Sequence, residues 1–221
     1  NAGQGKAPFF SLSLPRQDTM EEIRRRLVFF HPTKSSFVEA YHTLRTNLRL
    51  ELRPGTRPGA VIGFTSAGIS EGKTITSANF ALTAAQHGLK TLFIEADLRR
   101  PAVHRLLGVP REPGLTDCIL ANKPWTEMVR GTSDFLLGEL GLENLMKAPG
   151  IENFRLLPSG PSPQNPADLL GSAQMDRILR EARAQYDLIV VDCPPVMLFA
   201  DALLLGPKTT GLVLVYKAGR T

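Results

Sequence analysis

The stretch 60–74 constrains this chain most, because an apolar run is followed there by small residues and then by Gly72-Lys73-Thr74. The β-branched and aromatic residues at 61–64 are typical of a strand covered on both faces, and the apolar residues after Thr74 favour a helix. A loop entering a helix N-terminus directs unpaired N–H groups and the positive end of the helix dipole at one point. The stretch therefore predicts a strand, a phosphate-binding loop and a helix.

This pattern also suggests roles for individual side chains. Lys73 would reach the β- and γ-phosphates of a nucleoside triphosphate, and the Thr74 hydroxyl would hold Mg²⁺. The match to G-x-x-x-x-G-K-[ST] is imperfect because Ala67 occupies the first glycine position, so a plain strand–turn–helix remains the alternative. The predicted nucleotide-binding residues are Gly68, Ile69, Ser70, Glu71, Gly72, Lys73, Thr74 and Ile75.

Acidic residues follow two other apolar runs. Glu95 and Asp97 come at the end of the run 91–94, and Asp192 ends the run 188–191. In open α/β sheets ligands bind outside the carboxyl ends of the strands, so these carboxylates are well placed for metal binding or acid–base chemistry. A helix-capping role for Asp97 and a turn-capping role for Asp192 are the structural alternatives.

The succession of apolar runs predicts the fold class. Five strands with helices between them indicate an α/β, three-layer, P-loop NTPase-like domain, with a mostly parallel central sheet and helices on both faces. An N-terminal helical arm precedes it: a short helix is expected over 19–30, with Thr19 and Glu22 as a capping box. A longer helix is expected over 36–52, with its apolar stripe on Phe37, Tyr41, Leu44, Leu48 and Leu52.

Composition limits the possible environments. No apolar run approaches the roughly 20 residues that span a bilayer, so we expect the chain as given to be soluble, either cytosolic or part of a larger membrane protein. Cys118 and Cys193 have no metal-ligand spacing and offer no disulfide framework, so burial as small apolar side chains is the simplest expectation. The first 60 residues carry ten Lys or Arg and five acids. This basic segment predicts an acidic neighbour, either a membrane face or another subunit, unless it is merely solvated.

Several motifs together resemble the catalytic domain of the bacterial tyrosine kinases of capsule and exopolysaccharide export, which are relatives of the Min and Par ATPases. The resemblance covers most of residues 35–221. The motifs are Glu39 through Leu48, the phosphate loop, Glu95-Ala96-Asp97-Leu98-Arg99-Arg100-Pro101, Leu157-Pro158-Ser159-Gly160 with Asn165 through Leu170, and Tyr186 through Pro195 followed by Ala200-Asp201-Ala202.

The resemblance implies an ATP- and Mg²⁺-dependent protein-tyrosine kinase. It implies catalytic roles for Lys73, Asp97, Glu95 and Asp192, and a metal site at Thr74, Asp97 and Asp192. It also implies a ring-like homo-oligomer that phosphorylates between subunits through the helix motif Glu39, His42 and Arg45. A membrane-spanning polysaccharide co-polymerase region or activator, fused or separate, would be the partner, at the cytoplasmic face of the plasma membrane. No nucleic-acid partner is expected.

Composition and the Pro- and Gly-rich break at 53–59 divide the chain into a basic N-terminal linker and helix (1–34), a helix and turn (35–59) and a core (60–221). The resemblance implies that 35–59 is an oligomerisation-type segment and that the core is a P-loop kinase core, which we expect to be truncated at its C-terminal end.

The sequence departs from the family pattern at several points. Glu95 stands where aspartate is usual, and its extra methylene is expected to displace the carboxylate by about 1 Å. His42 replaces an arginine of the helix motif, which makes pH-dependent assembly an expectation. The family's tyrosine-rich tail is absent, and Tyr41, Tyr186 and Tyr216 are expected to serve packing.

Two other functions stay open. One is a catalytically weak scaffold in which nucleotide controls assembly of a polysaccharide export complex. The other is a Par- or Min-type cargo ATPase, which Gly68 disfavours because those proteins carry a second lysine there.

Overall fold

A computed structural model of the chain describes residues 22, 25–32, 34–48, 55, 57–136 and 149–219. Helix α1 (Ser36–Asn47) precedes strand β1 (Ala60–Ser66), helix α2 (Lys73–Gln86) and strand β2 (Thr91–Glu95). Short helices α3 (Val103–Leu107), α4 (Leu115–Leu120) and α5 (Thr132–Leu136) lead to strand β3 (Phe154–Leu157). Helices α6 (Pro166–Gly171) and α7 (Ala173–Gln185), strand β4 (Leu188–Asp192), helix α8 (Asp201–Leu205) and strand β5 (Gly211–Val215) complete the order.

The described strands form one five-stranded sheet in the order β3-β2-β4-β1-β5. All four neighbouring pairs are parallel. Asp192 at the end of β4 is in register with Phe64 of β1 on one side and with Glu95 of β2 on the other. The register therefore brings the carboxyl ends of β1, β2 and β4 to the same edge, where the sequence predicted a ligand site.

Helices cover both faces of this sheet, as predicted. Alternate strand residues face opposite layers: Ile62 and Phe64 pack with the α2 side, and Val61 packs with the α7 side. The α2 layer contains Phe80, Leu82 and the stripe of α1, and the other layer contains Met175, Ile178 and Leu179 of α7. Burial on both faces explains why β1, β2 and β4 are largely apolar, whereas the edge strand β5 exposes Leu212 and Leu214 on one face.

The N-terminal arm packs against α2 rather than standing apart from it. Leu27 and Val28 are fully buried in the α2-side core, and Phe37, Tyr41, Leu44 and Leu48 pack against the same cluster. Buried Asn79 of α2 accepts a hydrogen bond from the Val28 N–H at 2.9 Å and donates to the Tyr41 hydroxyl at 3.1 Å. Thr19 of the predicted capping pair, and the end of the long helix beyond Leu48, lie outside the described residues.

Single residues test the packing predictions. Trp125 is buried and donates its indole N–H to Glu181 at 2.9 Å. Both cysteines are buried, as predicted. The packing prediction is wrong for Tyr216, which is 65% exposed. Tyr216 directly follows β5, which lies at the edge of the described sheet, so only one side of that strand is paired.

A buried carboxylate fastens the opposite end of the sheet. Asp187, directly before β4, accepts hydrogen bonds from the backbone N–H groups of Gly55 at 2.7 Å and Lys90 at 2.8 Å. It also accepts one from the Arg57 guanidinium. Burial alone would raise the pKa of Asp187, but Arg57 and the two N–H donors outweigh burial and lower this pKa. The carboxylate therefore ties the segment before β1 to the turns before β2 and β4.

Replacing Asp187 by Asn should lower the free energy of unfolding by about 2–4 kcal/mol, because an amide cannot accept the same three bonds and a buried N–H loses its partner. Because the folded-state pKa of Asp187 is lowered, its contribution is complete above the unfolded pKa of about 4 and is lost as pH falls below that value. Urea unfolding at pH 7 and pH 3 should show a difference between wild type and variant that shrinks in acid. Asp176→Asn, at an exposed carboxylate paired with Lys208, is the matched control and should cost at most about 1 kcal/mol. An equal loss of unfolding free energy in both variants would contradict the stabilising role of the Asp187 carboxylate.

Candidate active site

The loop between β1 and α2 has the backbone of an anion-binding turn. Strand β1 is buried along its whole length and delivers the chain to the loop 67–72. Ser70 and Gly72 have positive φ angles of 62° and 92°, which is unusual for a serine and readily accessible to glycine. Helix α2, which is 14 residues long, begins directly after Gly72, and the N-terminus of a helix favours a bound anion. The predicted strand, loop and helix are therefore confirmed as structure.

Lys73, the first residue of α2, lies at the centre of a buried charge cluster. Its ammonium Nζ lies 2.9 Å from Asp192 Oδ1 and 3.1 Å from Asp97 Oδ2, and it is 3.2 Å from the Thr74 hydroxyl. Burial alone would lower the pKa of Lys73, but Asp192 and Asp97 together raise it, so the ammonium stays protonated near neutral pH. The structure thus brings together four residues that the sequence predicted separately.

Asp192 connects this cluster to the helix. Its Oδ2 accepts a 2.8 Å hydrogen bond from the Thr74 hydroxyl, and its Oδ1 is 3.3 Å from the Ser77 hydroxyl. Burial raises the pKa of Asp192, while the Lys73 ammonium acts in the opposite direction. Sequence reasoning missed Ser77, although its position one helical turn after Thr74 puts it on the same face of α2.

Asp97 is held in a loop with fixed ends. Its Oδ1 accepts the Arg100 N–H at 3.1 Å, while its Oδ2 contacts Lys73. Arg99 in the same loop makes two hydrogen bonds to buried Asp201, at 2.7 and 3.1 Å, and its guanidinium lies 4.3 Å from the centre of the Phe199 ring. This bidentate pair, which sequence reasoning did not identify as a site feature, joins the Asp97 loop to the start of α8.

Glu95 is placed differently from the other predicted acids. Its fully buried carboxylate accepts hydrogen bonds from the N–H groups of Val103 at 2.6 Å and Ser159 at 3.0 Å, and lies 3.4 Å from His104 Nδ1. Burial alone would raise the pKa of Glu95, but His104 and the two N–H donors outweigh burial and lower it. The recorded contacts of Lys73 involve Asp97 and Asp192 and do not include Glu95.

The donor set fits Mg²⁺ and a triphosphate. A threonine hydroxyl and two carboxylates offer only hard oxygen atoms, the ligands that Mg²⁺ takes, and the Lys73 ammonium beside the loop N–H groups suits phosphate oxygens. No cluster of three or more His, Cys, Asp or Glu suited to a metal ion occurs among the described residues. Mg²⁺ commonly uses one or two carboxylates together with water and substrate phosphates.

The predicted oligomerisation residues lie on α1. Glu39 is exposed, whereas His42 and Arg45 are partly buried. The His42 ring packs edge-on against the His87 ring, with centroids 4.7 Å apart. Burial and the neighbouring His87 lower the pKa of His42, so its imidazole is neutral at pH 7.

In the described part of the chain, no helix has the length and apolar character needed to cross a membrane.

Comparison with known proteins agrees with this geometry. The family model of the AAA domain matches residues 61–206. Tyrosine-protein kinase YwqD of Bacillus subtilis is 35% identical over 206 residues, which cover 93% of this chain and 79% of YwqD. The solved kinase domain of Escherichia coli tyrosine kinase ETK has a TM-score of 0.69 and 31% identity, covering 82% of this chain and 64% of that chain.

A more distant structure shows the fold alone. MinD from Pyrococcus horikoshii, solved in complex with Mg-ADP, has a TM-score of 0.54 at 20% identity and covers 71% of this chain and 57% of that chain. The kinase relatives carry more weight, since YwqD is similar along most of its own length. With its phosphate loop, its buried lysine and its two convergent aspartates, the chain belongs to the bacterial tyrosine-protein kinases and is an enzyme of that class.

Proposed function

We propose that this chain is an ATP- and Mg²⁺-dependent tyrosine autokinase that regulates polysaccharide polymerisation and export. The observation that carries the proposal is the buried Lys73 ammonium between Asp97 and Asp192, directly after a phosphate-binding loop. Phosphoryl transfer needs positioning and charge neutralisation more than covalent chemistry from the protein, and this cluster supplies both.

In the proposed reaction a bond forms between the acceptor tyrosine oxygen and the γ-phosphorus of ATP. The bond from that phosphorus to the bridging oxygen of the β-phosphate breaks, and ADP leaves. The loop N–H groups hold the phosphates, and Lys73 neutralises charge on the transferred group. Thr74 and Asp192 would hold Mg²⁺, which when bound neutralises negative charge on the β- and γ-phosphates.

A carboxylate must receive the acceptor proton, because a tyrosine hydroxyl with a pKa near 10 is protonated at neutral pH. Asp192 is already engaged by Lys73, Thr74 and Ser77. Asp97 contacts Lys73 through one oxygen and a backbone N–H through the other, and it lies in the loop that follows β2. We assign the role of general base to Asp97.

Assembly and location complete the proposal. Glu39, His42 and Arg45 on α1 are proposed to join copies of the chain in a ring in which one subunit phosphorylates another. The partner is proposed to be a membrane-spanning co-polymerase region or activator, which would hold the kinase at the cytoplasmic face of the membrane. The packing of α1 against α2, whose first residue is Lys73, supports a link between assembly and the catalytic site.

The experiment is phosphotransfer from Mg·ATP, detected by mass spectrometry, with the chain alone and with a tyrosine-rich peptide added. Phosphotyrosine that depends on Mg²⁺ is the expected result. Peptide mapping should then favour Tyr216 over the half-buried Tyr41 and Tyr186 within the chain. Nucleotide binding without any phosphotyrosine would overturn the autokinase proposal and leave the nucleotide-controlled scaffold as the better account.

A further inference from the structure

The loop that carries Asp97 is closed by one side chain at its base. Glu95 is the last residue of β2, and Val103 is the first residue of α3. The 2.6 Å hydrogen bond from the Val103 N–H to Glu95 Oε1 therefore joins the two ends of the loop 96–102. Helix α3 has no side-chain cap of its own, so Glu95 serves the N–H group that a cap would otherwise satisfy.

The second oxygen of Glu95 connects this loop to the segment 158–159, which is bonded to the first residues of α4. Oε2 accepts the Ser159 N–H at 3.0 Å, and Ser159 is itself buried. Two further hydrogen bonds hold the segment 158–159 in place. The Leu115 N–H donates to Pro158 O at 2.7 Å, and the Thr116 N–H donates to Ser159 O at 2.9 Å. A methyl group on Gly114 would lie only 2.3 Å from Pro158 O, so the two segments are in close backbone contact.

We propose that Glu95 is a positioning residue that holds Asp97 in place through the loop 96–102, and that it touches neither the nucleotide nor the acceptor. This inference rests on the proposed function of Asp97. Glu95 holds the loop from the inside, and the Arg99–Asp201 pair holds it from the side of α8. Asp97 is then fixed within contact distance of Lys73 from both directions.

The identity of the side chain follows from the distances it spans. A glutamate reaches the N–H groups of both Val103 and Ser159. An aspartate would be shorter by one carbon–carbon bond, about 1.5 Å, and could not keep both hydrogen bonds. A supporting role thus explains why glutamate, and not the usual aspartate, stands at position 95. In a catalytic role the longer side chain would misplace the carboxylate.

Glu95→Asp distinguishes these two roles. If Glu95 were the base or a metal ligand, restoring aspartate would maintain or raise the rate. The positioning role predicts that both Glu95→Asp and Glu95→Gln lower kcat by about 10- to 100-fold, because a displacement of about 1 Å at a reacting group has effects of that size. The KM for ATP should stay within about twofold, since the phosphate loop is untouched. The assay is phosphotyrosine formation on the added peptide by the full chain, with Glu127→Asp at an exposed position as the matched control.

Loss of stability alone would not produce this pattern. Asp187→Asn removes another buried carboxylate that accepts backbone N–H bonds, at the far end of β4, and should leave kcat unchanged well below its melting temperature. A kcat for Glu95→Asp at or above that of wild type would overturn the inference.

Hydrogen exchange tests the inference independently of catalysis. In Glu95→Gln the amides of Val103 and Ser159 should exchange faster, while amides of the first turns of α2 keep their wild-type rates. Unchanged exchange at both amides would overturn the positioning role, whether or not the wild-type chain forms phosphotyrosine. Absence of phosphotyrosine from the wild-type chain would instead contradict the proposed autokinase activity.

Discussion

Replacing Lys73 by Met is expected to lower phosphotyrosine formation by about 10³-fold or more. The ammonium is the only cation recorded in contact with Asp97 and Asp192 among the described residues, at 3.1 and 2.9 Å. Methionine has a similar length and fills the space, but it supplies no positive charge to a transferring phosphoryl group. It also leaves two neighbouring carboxylates without their shared counter-ion, so at least one of them should bind a proton at neutral pH.

The measurement is single-turnover phosphotransfer at saturating Mg·ATP, together with nucleotide affinity and the melting temperature. Lys90→Met is the matched control, because Lys90 has an exposed side chain and takes part in the structure through its backbone. The control should retain wild-type activity. Substantial phosphotyrosine from Lys73→Met would remove the central role that the buried charge cluster has in the proposed mechanism.

The core fold could be predicted from sequence because its signals are local. Uninterrupted β-branched runs indicated strands buried on both faces, and the step from Gly72 to Lys73 indicated the start of a helix at a phosphate loop. The carboxyl ends of parallel strands meet at one edge, so Asp97 and Asp192 could be expected near Lys73 before any coordinates were known. The distances now recorded within this cluster agree with that expectation.

The supporting contacts could not be predicted in the same way. Glu95 bonds to residues 8 and 64 positions later, and Arg99 bonds to a residue 102 positions later. No periodicity relates such positions, and a carboxylate at the end of a strand looks the same in sequence whether it faces a ligand or a backbone amide. Strand β5 shows the converse difficulty, because its uninterrupted apolar run is typical of a strand buried on both faces, whereas Leu212, Leu214 and the following Tyr216 are exposed.

The N-terminal arm shows how packing can modify a division made from composition. The basic segment 1–34 was predicted as a linker and a short helix, and composition did not indicate that Leu27 and Val28 within it are fully buried against α2. Asn79 makes this contact specific by bonding to backbone atoms of the arm and to Tyr41. A buried amide on a helix is a local sign that such a polar contact was needed.

Changing each aspartate of the cluster to asparagine should separate their roles. Asp192→Asn is expected to lower phosphotransfer by about 10²- to 10³-fold and to raise the Mg²⁺ concentration required, because it removes a charge that contacts both Lys73 and Thr74. Asp97→Asn is expected to lower kcat by about 10²- to 10⁴-fold, as loss of a general base does, with the Mg²⁺ requirement and the KM for ATP little changed. Asp176→Asn on the surface should change none of these quantities.

The Mg²⁺ titration tests the assignment of Asp97 as the general base against a role as a metal ligand. As a metal ligand, Asp97 would behave like Asp192, and both variants would need more Mg²⁺ for half-maximal rate. If Asp97 is the base, the Asp97→Asn variant would have a lower rate at every Mg²⁺ concentration, and the Mg²⁺ concentration for half-maximal rate would not change. The geometry favours the second result, because Asp192 shares Thr74 with the metal site, whereas the recorded partners of Asp97 are Lys73 and the Arg100 N–H. A shift of the midpoint in Asp97→Asn would assign the acceptor proton to another group and make Asp97 part of the metal site alone.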